Sequence, residues 1–170
     1  MHIFNPKEHK LNFKFEYNLD ETQKLRDKFS SRDKITIDDL RRVALWKINR
    51  VLDVPEDLLE KLNELALRDD LKYNDDFSRD IINSLVKCRG VGFPMVSSIL
   101  KFIRPDIYPI IDVRAYRALY GKGITYSGYN VDIYFDYISK VYEIRENLDL
   151  ELHEVDEQLY MFDKENNGKI

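Results

Sequence analysis

The chain has 170 residues, of which 44% are hydrophobic and 34% charged, enough apolar material for the core of one domain. A single cysteine, Cys88, excludes an internal disulfide, a cysteine-held iron–sulfur cluster and a cysteine zinc site, and the three histidines are scattered. No apolar run approaches the ~20 residues that span a bilayer, and the N-terminus lacks a signal-peptide core. We therefore expect a soluble, cytoplasmic single domain over residues 1–170, with no metal and no membrane partner.

The net charge of −4 is unevenly distributed along the chain. Residues 87–122 hold seven basic and two acidic residues, a net charge of +5, which leaves −9 for the remainder. A basic segment on an acidic body is typical of a protein that binds a localised anionic ligand. The seven basic residues are Lys87, Arg89, Lys101, Arg104, Arg114, Arg117 and Lys122.

The first part of the chain is predicted to be an N-terminal extension, residues 1–30, that packs on the body. Apolar and polar residues alternate from Leu11 to Tyr17, a pattern of a short strand or an extended segment. A lone strand has no partner, so we favour the extended segment. A helix over 20–29 follows. Thr36 and Asp39 form a plausible N-cap pair for the next helix, and Pro55 stands where a third can begin.

The rest of the chain also predicts helices, with residues 74–122 as the central segment. Asn74 or Asp75 caps a helix that ends at Arg89-Gly90, and another helix starts after Gly92 and ends before Pro105. Asp112 is the expected N-cap of a helix that Gly121 terminates. Helices over 131–147 and 150–164 complete an all-α fold. In the last of these, the acids Glu154, Asp156 and Glu157 are expected to face solvent.

Gly90-Val91-Gly92 joins two of these helices and is the most informative short motif. Glycine adopts positive φ without a Cβ clash, so the pair allows a sharp turn. The turn also lies at a helix N-terminus, where unpaired N–H groups attract an anion. A phosphate could approach these amides closely, within a positive field from Lys87, Arg89 and Lys101. The alternative is a glycine C-cap between two core helices, without functional consequence.

Two stretches, LVKCRGVGFPMVSSIL (85–100) and YPIIDVRAYRAL (108–119), resemble the helix-hairpin-helix superfamily of base-excision DNA glycosylases, to which endonuclease III and the adenine glycosylase belong. The resemblance covers about a fifth of the chain. It implies that the backbone of Gly90, Val91 and Gly92 holds a phosphate of duplex DNA, with a monovalent cation bound to the turn. It also implies that Asp112 is the catalytic carboxylate.

The sequence departs from the family at the position of the nucleophilic lysine, where it has Pro94. This excludes a Schiff-base lyase by the usual route unless another lysine substitutes. Arg114 and Arg117, three residues apart on the Asp112 helix, are expected to hold phosphates, or else to form a solvated basic face. Trp46 and Tyr116 are candidates for stacking a flipped base, although both could be core residues.

We therefore predict a cleft between the Gly90–Gly92 turn, the start of the Asp112 helix and the Trp46 helix. The leading function is monofunctional DNA N-glycosylase activity on a damaged or modified base, with Asp112 stabilising positive charge on the deoxyribose. Two alternatives stay open: a DNA-binding module without catalysis, which keeps the turn only for phosphate contact, and a structural or protein-interaction domain in which Gly90-Val91-Gly92 merely joins two core helices.

Overall fold

A computed structural model describes residues 18–31, 34–148 and 150–170, and over these ranges the chain is helical, with no strand. The predicted all-α class is thus confirmed. The proposed extended segment Leu11–Tyr17 lies outside the described residues, and the packing of residues 1–30 on the body of a single domain stays a prediction. None of the described helices is both long and apolar enough to cross a membrane.

The chain divides after Val51 into two units, and the first contains two described helices, α1 (Leu19–Ser30) and α2 (Ile37–Lys47). Helix α2 begins in a capping box: the Asp39 N–H donates to the Thr36 hydroxyl (3.3 Å), and the Asp39 carboxylate accepts from the Thr36 N–H (2.8 Å). The Trp46 indole N–H on α2 donates to the Thr22 hydroxyl on α1 at 2.8 Å. This hydrogen bond links the two helices.

The second unit begins at Leu52 and contains the other six α-helices of the described chain and one short 3₁₀ helix. The Asp75 and Asp112 carboxylates cap two of them, and Gly121 ends one with a φ of 65°. Local capping chemistry therefore sets several of these boundaries. The elements are α3 (Glu56–Leu67), α4 (Asp76–Lys87), α5 (Phe93–Ile103), α6 (Val113–Tyr120), the 3₁₀ helix (Tyr126–Gly128), α7 (Val131–Leu148) and α8 (Leu152–Asn166).

The core of the second unit fixes the segment that leads into α6. Tyr134 and Tyr137 on α7 are fully buried, and their hydroxyls donate to the carbonyls of Pro109 (2.8 Å) and Ile110 (2.9 Å). A buried hydroxyl left without a partner is costly, so these two hydrogen bonds hold the segment in one position against α7. The position of Asp112, two residues further on, follows from this anchoring.

Candidate functional site

Residues 88–92 connect α4 to α5 and are called the glycine turn below. Gly90 has a φ of 79°, a conformation that favours glycine, and Val91 is buried beneath the turn with its N–H donating to the Cys88 carbonyl at 3.2 Å. Gly92 is the N-cap of α5, and its carbonyl accepts from the Met95 N–H at 2.9 Å. Gly90 is thus favoured by its positive φ, whereas Gly92 stands at the start of α5.

The outer side of the glycine turn presents unpaired backbone groups. Among the described residues, no acceptor lies within hydrogen-bonding distance of the Gly90 or Gly92 N–H, and no donor reaches the carbonyls of Gly90 or Val91. Free amides at a helix N-terminus attract an anion. Carbonyl oxygens of this kind could bind the monovalent cation that the resemblance implies. That cation stays a prediction. Elsewhere in the described chain, no three side chains converge as a metal site.

Tyr126, which the sequence did not single out, covers part of the glycine turn. A Cβ added at Gly92 would stand 2.7 Å from the Tyr126 hydroxyl, so only glycine fits there without movement of the ring. The ring itself is 72% exposed. The aromatic residue is therefore a neighbour of the turn that can be displaced, and any anion at the Gly92 amide would lie close to it.

Asp112 is held at the N-terminus of α6 between α5 and α8. Its Oδ1 accepts from the Ala115 N–H at 2.7 Å, the expected N-cap bond. The two preceding amides are also fixed: the Ile111 N–H donates to the Ser97 hydroxyl (3.2 Å), and the Ile110 N–H donates to Asp156 (2.9 Å). The other oxygen of Asp112, Oδ2, has no hydrogen-bond partner among the described residues.

A cavity of 290 Å³ lies beside Asp112 and is called the Asp112 pocket below. Its apolar walls come from both α6 and α8, and three carboxylates contribute polar surface. The Arg114 guanidinium lies 5.7 Å from the centre of the Tyr160 ring. The lining residues are Ile110, Asp112, Ala115, Asp156, Glu157, Tyr160 and Met161.

Tyr129 connects the first residue of α5 with the surroundings of Asp112. Its ring stacks on Phe93 with the centroids 6.0 Å apart, and its hydroxyl is buried with no hydrogen-bond partner among the described residues. Burial and the nearby Asp112 carboxylate raise the pKa of Tyr129 to about 12. The phenol is therefore neutral at physiological pH and keeps a proton to donate. In the sequence, Tyr129 can be recognised only as a residue of the polar loop that follows α6.

Lys101 does not contribute the exposed positive charge that the sequence predicts. Its side chain is buried, and Nζ donates to Asp156 (2.9 and 3.1 Å), to Glu157 (2.8 Å) and to the His153 carbonyl (2.8 Å). Burial raises the pKa of Asp156 against the opposing effect of Lys101, whereas Lys101 lowers the pKa of Glu157. The prediction that Asp156 faces solvent is wrong, because α8 turns this acid inward to meet Lys101.

Arg114 and Arg117 are likewise engaged by α8. The Asp163 carboxylate is fully buried and accepts from Arg114 at 3.1 Å and from Arg117 at 2.7 and 2.8 Å. The Gly168 carbonyl adds a hydrogen bond from Arg114 at 3.0 Å. Arg117 above all, with Arg114, holds the pKa of Asp163 well below its usual range despite the opposing effect of burial. The two arginines therefore form an internal ion-pair cluster and not a solvated basic face.

The remaining predicted site residues lie in three different places. Lys87 and Arg89 are exposed at the glycine turn and line a 460 Å³ cavity with Asp53 and Asp57. Tyr116 is buried beside α6's own Tyr120, with the rings stacked at 4.2 Å, so one of its faces is already covered. Trp46 is half-buried in the first unit and lines a separate 350 Å³ cavity there. A cleft that includes Trp46 stays a prediction.

No family model matches the sequence, and comparison with curated proteins and with solved structures finds no similar protein. The resemblance to DNA glycosylases therefore rests on residues 85–100 and 108–119 alone.

Proposed function

We propose that the chain binds duplex DNA through the glycine turn and is a monofunctional DNA N-glycosylase, with Asp112 as the catalytic carboxylate. The observation that carries this proposal is the Asp112 pocket. The carboxylate of Asp112 lines a cavity of 290 Å³ while one of its oxygens has no partner in the described chain. An N-cap alone needs neither the cavity nor the free oxygen.

The chemistry asked of Asp112 is modest. When the N-glycosidic bond breaks, its electron pair leaves with the base and positive charge develops at C1′ of the deoxyribose. An ionised carboxylate nearby stabilises that charge, or accepts a hydrogen bond from the water whose oxygen then bonds to C1′. Oδ1 keeps its hydrogen bond to the Ala115 N–H throughout, which fixes the orientation of the carboxylate, and Oδ2 is the oxygen that acts.

The state of the lysines supports a hydrolase without lyase activity. Pro94 occupies the position of the family nucleophile, and Lys101, the lysine on α5, directs its ammonium at Asp156, Glu157 and a carbonyl. A lysine whose side-chain nitrogen is engaged by two carboxylates and a carbonyl is not placed to attack a sugar carbon. We therefore expect no borohydride-trapped covalent complex with abasic DNA.

The first test is Asp112→Asn, assayed for base release from duplexes that contain damaged or modified bases. Asparagine is as good an N-cap as aspartate, so α6 should survive while the negative charge is lost. We expect base release to fall by about 10²–10⁴-fold. The matched control is Asp75→Asn, at the N-cap of α4, where Oδ1 accepts from the Ser78 N–H. Undiminished release by the Asp112→Asn protein would remove this residue from the mechanism.

A second candidate, a structural or protein-interaction domain, is favoured by one observation. Lys101, Arg114 and Arg117, three of the cations predicted to contact phosphates, are paired with carboxylates of α8. Gly92→Asp separates the candidates, because it places a negative charge where the phosphate would lie. If the protein binds DNA, this substitution weakens binding; binding that survives it at moderate salt would show that the glycine turn is not the anchor.

A further inference from the structure

We infer that the Asp112 pocket selects a flat ring whose edge presents hydrogen-bond donors, and that Glu157 is the residue that recognises this edge. The part of this inference that concerns substrates rests on the proposed function. The part that concerns ligand binding can be tested without DNA. The inference narrows the target from any damaged base to a base that carries an amino group.

The inference starts from the polar groups that line the pocket. The backbone N–H groups of Ile110 and Ala115 are already bonded to Asp156 and Asp112. The Lys101 ammonium, which lies behind the two α8 acids, donates to both of them and to the His153 carbonyl. The donors that remain among the described lining residues are the Asp112 N–H and the Tyr160 hydroxyl.

Acceptors, by contrast, remain available. Lys101 bonds to Oε1 of Glu157, and the other oxygen, Oε2, has no partner in the described chain; the same holds for Oδ2 of Asp112. The hydrogen bond from Lys101 lowers the pKa of Glu157, so this group is ionised at neutral pH and can only accept. Two carboxylate oxygens without partners among the lining residues favour a ligand that donates hydrogen bonds.

The shape of the pocket favours a ring over a chain. Its volume of 290 Å³ is just below the range of about 300–1,000 Å³ that is usual for small-molecule sites, which suits one small ring system. Tyr160 and Met161 supply an aromatic face and a polarizable thioether on the α8 side. Aromatic rings pack favourably on both kinds of surface.

These two properties together define the class of base. Guanine-type edges carry an amino group beside a ring N–H, and adenine- and cytosine-type edges carry an amino group, so each can donate to Glu157. Thymine- and uracil-type rings have no amino group: their edge presents one ring N–H between two carbonyl oxygens, and those oxygens would lie beside the carboxylates. Acceptors that face each other repel, so we expect these rings to bind less tightly, by a margin that solvent reduces because the Glu157 side chain is 62% exposed.

The experiment is an NMR titration of the full chain with small aromatic probes, followed at the resonances of Tyr160 and Met161. Benzamidine offers a planar set of N–H donors, and phenyltrimethylammonium has the same charge without any N–H. We expect benzamidine to bind at least about tenfold more tightly, since hydrogen bonds to a charged acceptor contribute about 1.5–3 kcal/mol. Equal binding of the two cations would overturn the inference, because charge alone would then explain the binding.

The decisive variant is Glu157→Gln. Lys101 will hold the amide oxygen of the glutamine, so its NH₂ group faces the pocket and a donor replaces the acceptor. Benzamidine affinity should fall about tenfold, while Glu165→Gln, an exposed position on the same helix, should leave it unchanged. An unchanged affinity in the Glu157→Gln protein would overturn the assignment. The amide spectrum of each variant reports whether it is folded.

The outcomes separate this inference from the proposed function. If benzamidine binds as expected but no amino-bearing damaged base is released from DNA, the pocket inference stands and the glycosylase proposal fails. If uracil- or thymine-type lesions are released in preference to amino-bearing ones, the glycosylase proposal stands and the inference about Glu157 is overturned.

Discussion

The two ends of the basic segment use their positive charges in opposite ways. At the glycine turn, Lys87 is exposed beside backbone amides that have no acceptor in the described chain. On α5 and α6, Lys101, Arg114 and Arg117 are turned toward buried carboxylates of α8. The first region leaves its positive charge exposed, and the second pairs its positive charge with the last helix.

A count of charges along a sequence does not show which of those charges are paired within the fold. A cation on an amphipathic helix reaches solvent or a partner according to the helix that packs against it, and α8 brings its acids from about fifty residues away. A large part of the net +5 of the segment is therefore compensated within the fold. The exposed basic residues of the segment are Lys87 and Arg89 at the glycine turn and Lys122 after α6.

The largest effect on stability should come from Lys101→Met. It would leave Asp156 buried without its cation, and breaking a buried pair from one side costs about 3–5 kcal/mol. Urea denaturation measures this loss. The double variant Lys101→Met/Asp156→Leu should recover much of it, because the unpaired charge is removed. A single variant as stable as the parent would contradict the buried pairing.

Asp163→Asn should give a loss of stability that depends on pH. The folded pKa of Asp163 lies below the unfolded value of about 3.9, so its stabilising contribution is fully present above that value and is lost as pH falls through the folded pKa. The difference in urea midpoint between parent and variant should thus be wide at pH 7 and narrow below about pH 4. A difference that does not change with pH would exclude the ion pairs as its cause.

The two glycines of the turn should differ in their response to alanine. Gly90→Ala forces a side chain into the left-handed region at φ 79° and should cost about 1–2 kcal/mol. Gly92 has an ordinary φ of −95°, and the obstacle to a Cβ is the mobile end of the exposed Tyr126 ring. Gly92→Ala should therefore cost less, about 1 kcal/mol or under. Thermal unfolding of both variants checks the order.

Lys87→Gln should have the smallest effect on stability, within about 0.5 kcal/mol, because its side chain is exposed. In DNA binding, it should reduce the slope of log affinity against log salt by about one. Lys164→Gln, an exposed lysine on α8, is the matched control and should leave the slope unchanged. Equal effects of the two substitutions would place the DNA elsewhere than at the glycine turn.

Sequence reasoning succeeded where the cause of a structure is local. The Thr36–Asp39 capping box, the Asp112 N-cap and the Gly121 C-cap each depend on residues within one turn of helix, and the structure has all three. The helix predicted over 131–147 is α7, Val131–Leu148.

The site was less predictable because it depends on contacts between distant elements. Asp156 and Glu157 line the Asp112 pocket only because α8 packs beside α6. No sequence pattern near Asp112 predicts that packing. Tyr126 and Tyr129 approach the glycine turn and Asp112 from a loop that the sequence marks only as polar. A buried hydroxyl such as that of Tyr129, which has no partner in the described part of the chain, can be recognised only in a structure.

The proposed function is best tested by comparing binding to a duplex that holds a stable abasic-site analogue with binding to the intact duplex, across a salt series. We expect a clear preference for the abasic duplex, with a salt dependence that Gly92→Asp weakens. Equal, salt-sensitive binding to both duplexes would contradict the glycosylase and leave a DNA-binding module. No binding to either duplex would contradict every nucleic-acid role proposed for the glycine turn.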